Sequence, residues 1–168
     1  MSHPLVVQLR FTRSEFKRAL EGLSEADACR RVLPMNCISW NIGHLAWHEQ
    51  LNLLTRMQGK TPLPQINTLV GYGQAASTPP LAEMWAAWHE VTRLVDPFLD
   101  TMTTQKLAEV VAIDEHQTVY TPGAVIQRII YHYWYHLGEN MAIRQMLGHT
   151  QLPEFVGEIE REAPFQPH

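Results

Sequence analysis

Two pairs of histidines are spaced so that each pair could hold a metal ion. The segment YHYWYHLGEN places His132 and His136 four residues apart in an aromatic run. The segment GHLAWHEQ places His44 and His48 at the same spacing. Residues i and i+4 lie on one face of an α-helix, so each pair can direct two imidazoles at one point. Neutral imidazole binds divalent transition metals, and catalytic sites typically use three protein ligands plus an open position. The spacing therefore indicates a metal site whose third ligand comes from a second helix.

The same spacing is also compatible with histidines that are hydrogen-bonded in a helical core and bind no metal. An HxxxH pair without the glutamate of HExxH is a weak motif. Of the nine histidines, His89 could face the same cavity, although a structural role is the preferred interpretation. The remaining four lie in predicted tails or loops and are not assigned to the site: His3, His116, His149 and His168.

Four long helices are predicted to carry the paired histidines. Apolar residues recur at helical spacing in four segments, and residues that typically start or stop helices bound them. Pro122 opens the last segment, and Gly59 and Gly148 follow the second and the last. The predicted helices cover about residues 5–22, 37–58, 80–102 and 122–147. His44 and His48 then lie on helix 2, and His132 and His136 lie on helix 4.

A long connection separates helices 2 and 3. Residues 59–80 contain four prolines and three glycines and show no useful periodicity. A 20-residue helix is about 30 Å long and an extended chain covers about 3.3 Å per residue, so this segment can run the length of a helical bundle. Helix 3 is then expected to run parallel to helix 2. The sequence predicts an all-α four-helix bundle with a long crossover between helices 2 and 3, formed by a single domain over residues 1–168.

Shorter elements are predicted around this framework. SEAD offers an N-cap at Ser24 and a carboxylate three residues later, which predicts a short helix closed by Pro34. Residues 103–121 are expected to form a helical turn followed by a loop. The tail, residues 149–168, is expected to hold one helical piece around 153–162. No β-strand is predicted.

Composition excludes several classes of partner. The net charge is −4, with only 13 lysines and arginines and no basic cluster, so neither nucleic acid nor an anionic membrane surface is an expected partner.

No apolar run approaches the roughly 20 residues of a transmembrane helix. The start, MSHPLVVQLR, lacks the features of a signal peptide. Cys29 and Cys37 form no CxxC pair and fit a reducing compartment, so a cytoplasmic location is expected.

Three passages resemble the DinB/YfiT-like family of metal-dependent helical-bundle proteins. NCISWNIGHLAWHE is similar to the family's helix-2 motif, a Trp followed by His-Leu-Ala. YHYWYHLGENMAIRQMLGH is similar to its helix-4 motif, HxxxHxG(Q/E), and LEGLSEADACRRVLP fits the segment between helices 1 and 2. Many members have Arg before the helix-4 glycine and Gln after it, where this chain has Leu137 and Glu139.

The resemblance implies a set of metal ligands. It assigns the metal to His44, through HLA, and to His132 and His136, through HxxxH. His48 could be a fourth ligand, a partner of a ligand, a proton shuttle or a histidine that only packs between helices. Glutamates beside the motifs, Glu49 and Glu139, could orient ligand imidazoles by accepting the N–H that faces away from the metal, or could lie exposed. The neighbouring aromatic residues are interpreted as core-packing and helix-surface residues, and none is assigned to substrate binding.

The resemblance also implies an activity. Characterised relatives include transferases and isomerases that use a low-molecular-weight thiol such as mycothiol or bacillithiol. A thiol-dependent S-transferase with a divalent metal, zinc or nickel, is therefore the first expectation, with His48 and Glu139 as catalytic candidates. Metal-dependent hydrolysis and a non-enzymatic, stress-associated metal-binding role remain alternatives. The expected partners are a small-molecule substrate or thiol, and a homodimer is expected because family members commonly pair.

Overall fold

A computed structural model describes residues 2–112, 119–154 and 156–166. Within these ranges the chain is mainly helical. The helices are α1 (Pro4–Ala19), α2 (Glu25–Cys29), α3 (Ile38–Glu49), α4 (Gln65–Leu69), α5 (Leu81–Leu99), α6 (Thr104–Ala108), α7 (Pro122–Met146) and α8 (Ile159–Glu162). A π-helical segment, Gln50–Arg56, continues α3 without a break. None of the helices within the described ranges is long and apolar enough to cross a membrane.

The four long helices, α1, α3, α5 and α7, share one apolar core. Phe16 of α1 packs edge-on against Tyr133 of α7 with ring centroids 5.3 Å apart, and the Arg144 guanidinium near the end of α7 donates to the Ala19 carbonyl at the end of α1. These two helices therefore run parallel. The large, fully buried side chains include Leu9, Phe16, Ile38, Ile42, Leu45, Leu53, Leu54, Leu99, Ile126 and Ile129. Burial of such side chains is the main stabilising contribution to the fold.

The predicted all-α class and the order of the four long helices are confirmed. Gly59 and Gly148 have φ values of 67° and 88°, as expected of glycines that end helices. Helix 1 ends earlier than predicted, at Ala19. Three details differ from expectation: the π-helical continuation of α3, a short helix α4 inside the crossover, and a two-stranded antiparallel ladder where a loop was predicted.

The ladder corrects the prediction that the chain has no strand. Strands β1 (Val111–Ala112) and β2 (Val119–Tyr120) pair with Val111 opposite Tyr120. Two residues per strand are too few for an alternating pattern to be recognised in the sequence. In the tail, the predicted helical piece is shorter than expected and is limited to α8.

The crossover runs back along α3 and is fixed to it at three points. The Gln50 side chain exchanges two hydrogen bonds with the backbone of Leu63, at 3.0 and 2.8 Å. His44 bonds to the carbonyl of Val70, and the Ser39 hydroxyl donates to the carbonyl of Pro79 at 2.6 Å. Successive crossover residues thus meet earlier and earlier residues of α3. As predicted, the crossover returns to the start of α3, so α3 and α5 begin at the same end and run parallel.

A buried polar network joins all four long helices. Arg13 Nε of α1 donates to Glu49 Oε1 of α3 at 2.9 Å, and Arg13 Nη1 lies 2.9 Å from Asp96 of α5. The Tyr133 hydroxyl of α7 donates to Glu49 at 2.7 Å, and Trp88 Nε1 of α5 donates to Tyr133 at 2.6 Å. Burial alone would lower the pKa of Arg13, but the facing Glu49 carboxylate outweighs it and raises that pKa. The Arg13 guanidinium therefore stays charged in the core.

Replacing Arg13 with Met is expected to lower the free energy of unfolding by about 3–5 kcal/mol, because the Glu49 carboxylate would stay buried without its cation. Chemical denaturation measures this change. Arg93→Met is the control, since Arg93 pairs with Glu90 on the exposed surface of α5. Exposed ion pairs contribute little. A loss in Arg13→Met no larger than that of the control would contradict the role assigned to the network.

Candidate metal centre

Three histidines from two helices converge at one point. His44 of α3 and His132 and His136 of α7 each offer a ring nitrogen, and these nitrogens all lie within 4.8 Å of one another. The Nε2 atoms of His132 and His136 are 3.0 Å apart. His44 and His136 are each only 7% exposed. The three residues form what we call the histidine cluster, and such a group of ligand atoms is compatible with a metal ion.

Hydrogen bonds orient two rings of the cluster. His44 Nδ1 lies 2.7 Å from the Val70 carbonyl oxygen, which can only accept, so Nδ1 carries the proton. His136 Nδ1 lies 2.7 Å from Glu139 Oε2, and Asn41 donates to the same oxygen at 3.0 Å. Each ring therefore keeps its Nε2 lone pair for the cluster. An imidazole whose second nitrogen donates to a carbonyl or carboxylate is the usual arrangement of a metal-bound histidine.

Burial keeps two imidazoles of the cluster, those of His44 and His132, in the uncharged form that binds metals. Burial lowers the pKa of His44 to about 4, although the hydrogen bond to the Val70 carbonyl acts in the opposite direction. Burial also lowers the pKa of His132 to about 2, and the neighbouring imidazoles of His48, His136 and His44 add to this effect. At neutral pH these two rings are therefore uncharged, which is the form in which imidazole binds a divalent ion.

His48 lies beside the cluster rather than in it. Its ring centroid is 4.3 Å from that of His132, one turn along α3 from His44. His44 meets His136 and His48 meets His132, so α3 and α7 run antiparallel. Burial lowers the pKa of His48 to about 4, with smaller contributions from His44 and from two nearby arginines. Its Nδ1 is buried and has no hydrogen-bond partner among the described residues. A neutral imidazole in this position is able to accept a proton.

Aromatic rings hold His44 from both sides. The Trp40 ring stacks on the imidazole with centroids 4.6 Å apart, and Trp47 stacks at 5.0 Å. Two such planes restrict rotation of the imidazole about its side-chain bonds. The indoles also form an apolar wall, which strengthens electrostatic interactions at the site.

Close packing of α5 and the crossover fixes the backbone beside His44. A methyl group at Gly43 would collide with the sulfur of Met84 and lie 3.2 Å from both methyl carbons of Val70. Gly43, Met84 and Val70 are all buried. The glycine therefore allows the segment that carries the Val70 carbonyl to approach α3.

A cavity of about 740 Å³ opens over the cluster. His44, His48 and His132 line it, together with Trp47 and residues of the π-helical segment. Its volume lies in the range of small-molecule sites. The arrangement therefore combines converging metal-binding nitrogens, a neutral proton acceptor and space for an organic ligand.

The sequence model of the DinB superfamily matches residues 8–139, most of the chain. The chain belongs to the DinB superfamily. The matched range includes the whole histidine cluster and His48, and it ends at Glu139. No curated protein sequence matches the chain.

Other residues singled out in this DinB-superfamily sequence have different surroundings. Glu49 contacts no cluster imidazole in the described structure and belongs to the buried network. His89 is exposed and packs beside two tryptophans of α5. His3 caps α1 through its Nδ1, and His149 contacts Arg144 and Asp27. The two remaining positions, His116 and His168, lie outside the described residues.

The sequence did not predict the residues that support the histidine cluster. Val70 acts through its backbone carbonyl, which carries no side-chain signal. Asn41 has a signal in retrospect, since it precedes His44 by three residues and so shares its helix face. Tyr131 and Tyr135 lie on the exposed helix surface and also line the cavity, a position that the sequence did not predict.

Gly43→Ala is expected to destabilise this DinB-superfamily protein by about 1–3 kcal/mol, because buried Met84 and Val70 must move to accept the methyl group. Gly138→Ala is the matched control in α7. Apart from the adjacent backbone of α7, no atom of the described residues lies within 4 Å of a methyl group placed there. The control should therefore be stabilised by about 0.5–1 kcal/mol. Denaturant titration of both variants measures the difference. Equal effects of the two substitutions would contradict the packing role of Gly43.

Proposed function

We propose that the protein is a divalent-metal-dependent S-transferase, an enzyme that joins a small thiol through its sulfur to an electrophilic substrate. The ion would be held by His44, His132 and His136. The observation that carries the proposal is the convergence of these three ring nitrogens within 4.8 Å of one another, beside a cavity that His44 and His132 line. Membership of the DinB superfamily supports it, because the matched range contains all three ligands.

The donor set fits a borderline-soft divalent ion. Three neutral imidazoles suit zinc and nickel and leave the double positive charge of the ion uncompensated. When bound, such an ion supplies a Lewis acid that lowers the pKa of a thiol or water ligand toward neutrality. The Glu139 carboxylate and the Val70 carbonyl would hold the ligand imidazoles in the required tautomer.

The chain's own residues would handle the proton and the geometry of the transfer. The thiol S–H bond breaks and a C–S bond forms at the electrophile, whose leaving group departs with its bonding electrons. The neutral imidazole of His48, at the cavity wall, would accept the thiol proton and pass it to solvent or to the leaving group. Trp47 would exclude water from one side of the reacting atoms.

Metal-dependent hydrolysis is the second candidate. The position of His48 favours it equally, because a neutral imidazole next to a metal site can take a proton from water as well as from a thiol. The two reactions differ in one requirement, which is the thiol.

Glu139→Gln is expected to weaken zinc binding by roughly 10- to 100-fold, because the amide is a weaker acceptor for the His136 N–H than the carboxylate. Competition with a chromogenic chelator measures the affinity. Glu83→Gln removes the same charge from an exposed position of α5 and should leave the affinity unchanged. Equal affinities of the parent protein and Glu139→Gln would show that the carboxylate does not support a ligand.

Metal-loaded protein is expected to accelerate the consumption of a generic electrophile only when a thiol is added. His132→Ala should reduce the rate to that of the uncatalysed reaction, whereas His89→Ala, which alters an exposed histidine outside the cluster, should retain it. Thiol and product are followed by absorbance and mass spectrometry. Failure with every thiol tested would overturn the transferase proposal. Thiol-independent cleavage of ester or amide substrates that is lost in His132→Ala would favour the hydrolase.

A further inference from the structure

Two arginines line the same cavity as the histidines. Arg56 ends the π-helical segment, and Arg128 lies on α7 one turn before His132. Both arginine side chains are exposed to the cavity opening. Neither arginine forms an ion pair with a carboxylate in the described parts of the chain, and no acidic residue within those parts lines the cavity. The cavity therefore presents two cations that the described protein does not neutralise.

Neighbouring side chains hold both guanidinium groups in place. Arg56 Nη1 donates to Asn52 Oδ1 at 2.9 Å, and Asn52 Nδ2 donates to the His48 carbonyl at 2.7 Å. The Arg128 guanidinium lies over the Tyr120 ring, 5.7 Å from its centroid. An arginine that is already positioned loses less side-chain freedom when an anion binds. Asn52 and Tyr120 thus give the two cations a defined location.

The two arginines lie on the same side of the histidine cluster. Arg128 precedes His132 by four residues, about 6 Å along the axis of α7. Arg56 follows His48 by eight residues and lies at the far end of the π-helical segment that continues α3. Because α3 and α7 run antiparallel, both displacements point toward the same end of the molecule. A ligand could therefore reach the arginines at one end and the cluster at the other.

Tyrosines surround the space between these ends. Four of the chain's five tyrosines line the cavity: Tyr72, Tyr120, Tyr131 and Tyr135. Their rings provide apolar faces, and their hydroxyl groups provide hydrogen-bonding edges. Such walls suit the uncharged middle of a small organic molecule.

We infer that the cavity takes a small molecule with a carboxylate or phosphate group, which Arg56 and Arg128 bind while the reacting end lies at the histidine cluster. The identity of the reacting end rests on the proposed function, whereas the anion site rests on the two arginines alone. Guanidinium groups bind both types of anion through paired hydrogen bonds. The two arginines are specificity-determining residues in this account and take no part in bond breaking.

The test compares two thiols of equal length that differ in charge, 3-mercaptopropionate and 3-mercaptopropan-1-ol. Each is titrated into the cobalt(II)-loaded protein, and thiolate binding is followed by visible absorption. The parent protein should bind the carboxylate thiol about tenfold or more tightly than the alcohol. The double variant Arg56→Gln/Arg128→Gln should lose this preference and keep its affinity for the alcohol. Arg93→Gln, which removes a charge from the exposed surface, should behave as the parent protein does.

A second measurement separates the anion site from the thiol chemistry. Calorimetric titration with succinate and with inorganic phosphate should show that the parent protein binds at least one of these anions and that the double variant binds it more weakly. The anion that binds more tightly identifies the preferred group. If the parent protein shows no response to either thiol, the proposed function fails and the calorimetry alone decides the anion site. Equal affinities of the parent protein and the double variant for succinate and for phosphate, or no binding of either anion to the parent, would overturn the inference.

Discussion

The carboxylate of Glu49 is fully buried, and the arrangement of the four long helices follows from how it is compensated. Arg13 of α1 and Tyr133 of α7 both donate to it, while Trp88 of α5 donates to the tyrosine oxygen. A buried charge without partners would cost several kcal/mol, so structures that separate these groups are disfavoured. The network therefore selects one register of α3 against α7, in addition to the non-directional stabilisation that the apolar core provides.

That register determines the geometry of the histidine cluster. Glu49 directly follows His48 on α3, and Tyr133 directly follows His132 on α7. The hydrogen bond between Glu49 and Tyr133 therefore brings His48 and His132 into contact, with ring centroids 4.3 Å apart. The crossover adds the third constraint, because its Val70 carbonyl reaches α3 where Gly43 leaves room. The cluster is thus supported by a charged network below it and by a backbone carbonyl from a segment without regular periodicity.

The sequence predicts the helices and the paired histidines well, because both depend on local periodicity. Pro122 and Gly148 mark the ends of α7, and the HxxxH spacing places His132 and His136 on one face. The π-helical segment is not predictable in this way, because it continues α3 without a break and no residue marks the change. The role of Glu49 is likewise invisible without Arg13, which lies 36 residues earlier in the chain. Local patterns therefore identify the ligand candidates, whereas the groups that support them appear only in three dimensions.

The central claim is that His44, His132 and His136 together hold one transition-metal ion. The most direct test is elemental analysis of protein purified without a metal-affinity tag, alongside the alanine variants of these three residues and His89→Ala. The account predicts about one transition-metal ion per chain in the parent protein and in His89→Ala, and its loss in each of the three cluster variants. A folded parent protein that holds no metal after reloading with zinc and with nickel would contradict the claim and leave the cluster as hydrogen-bonded core histidines.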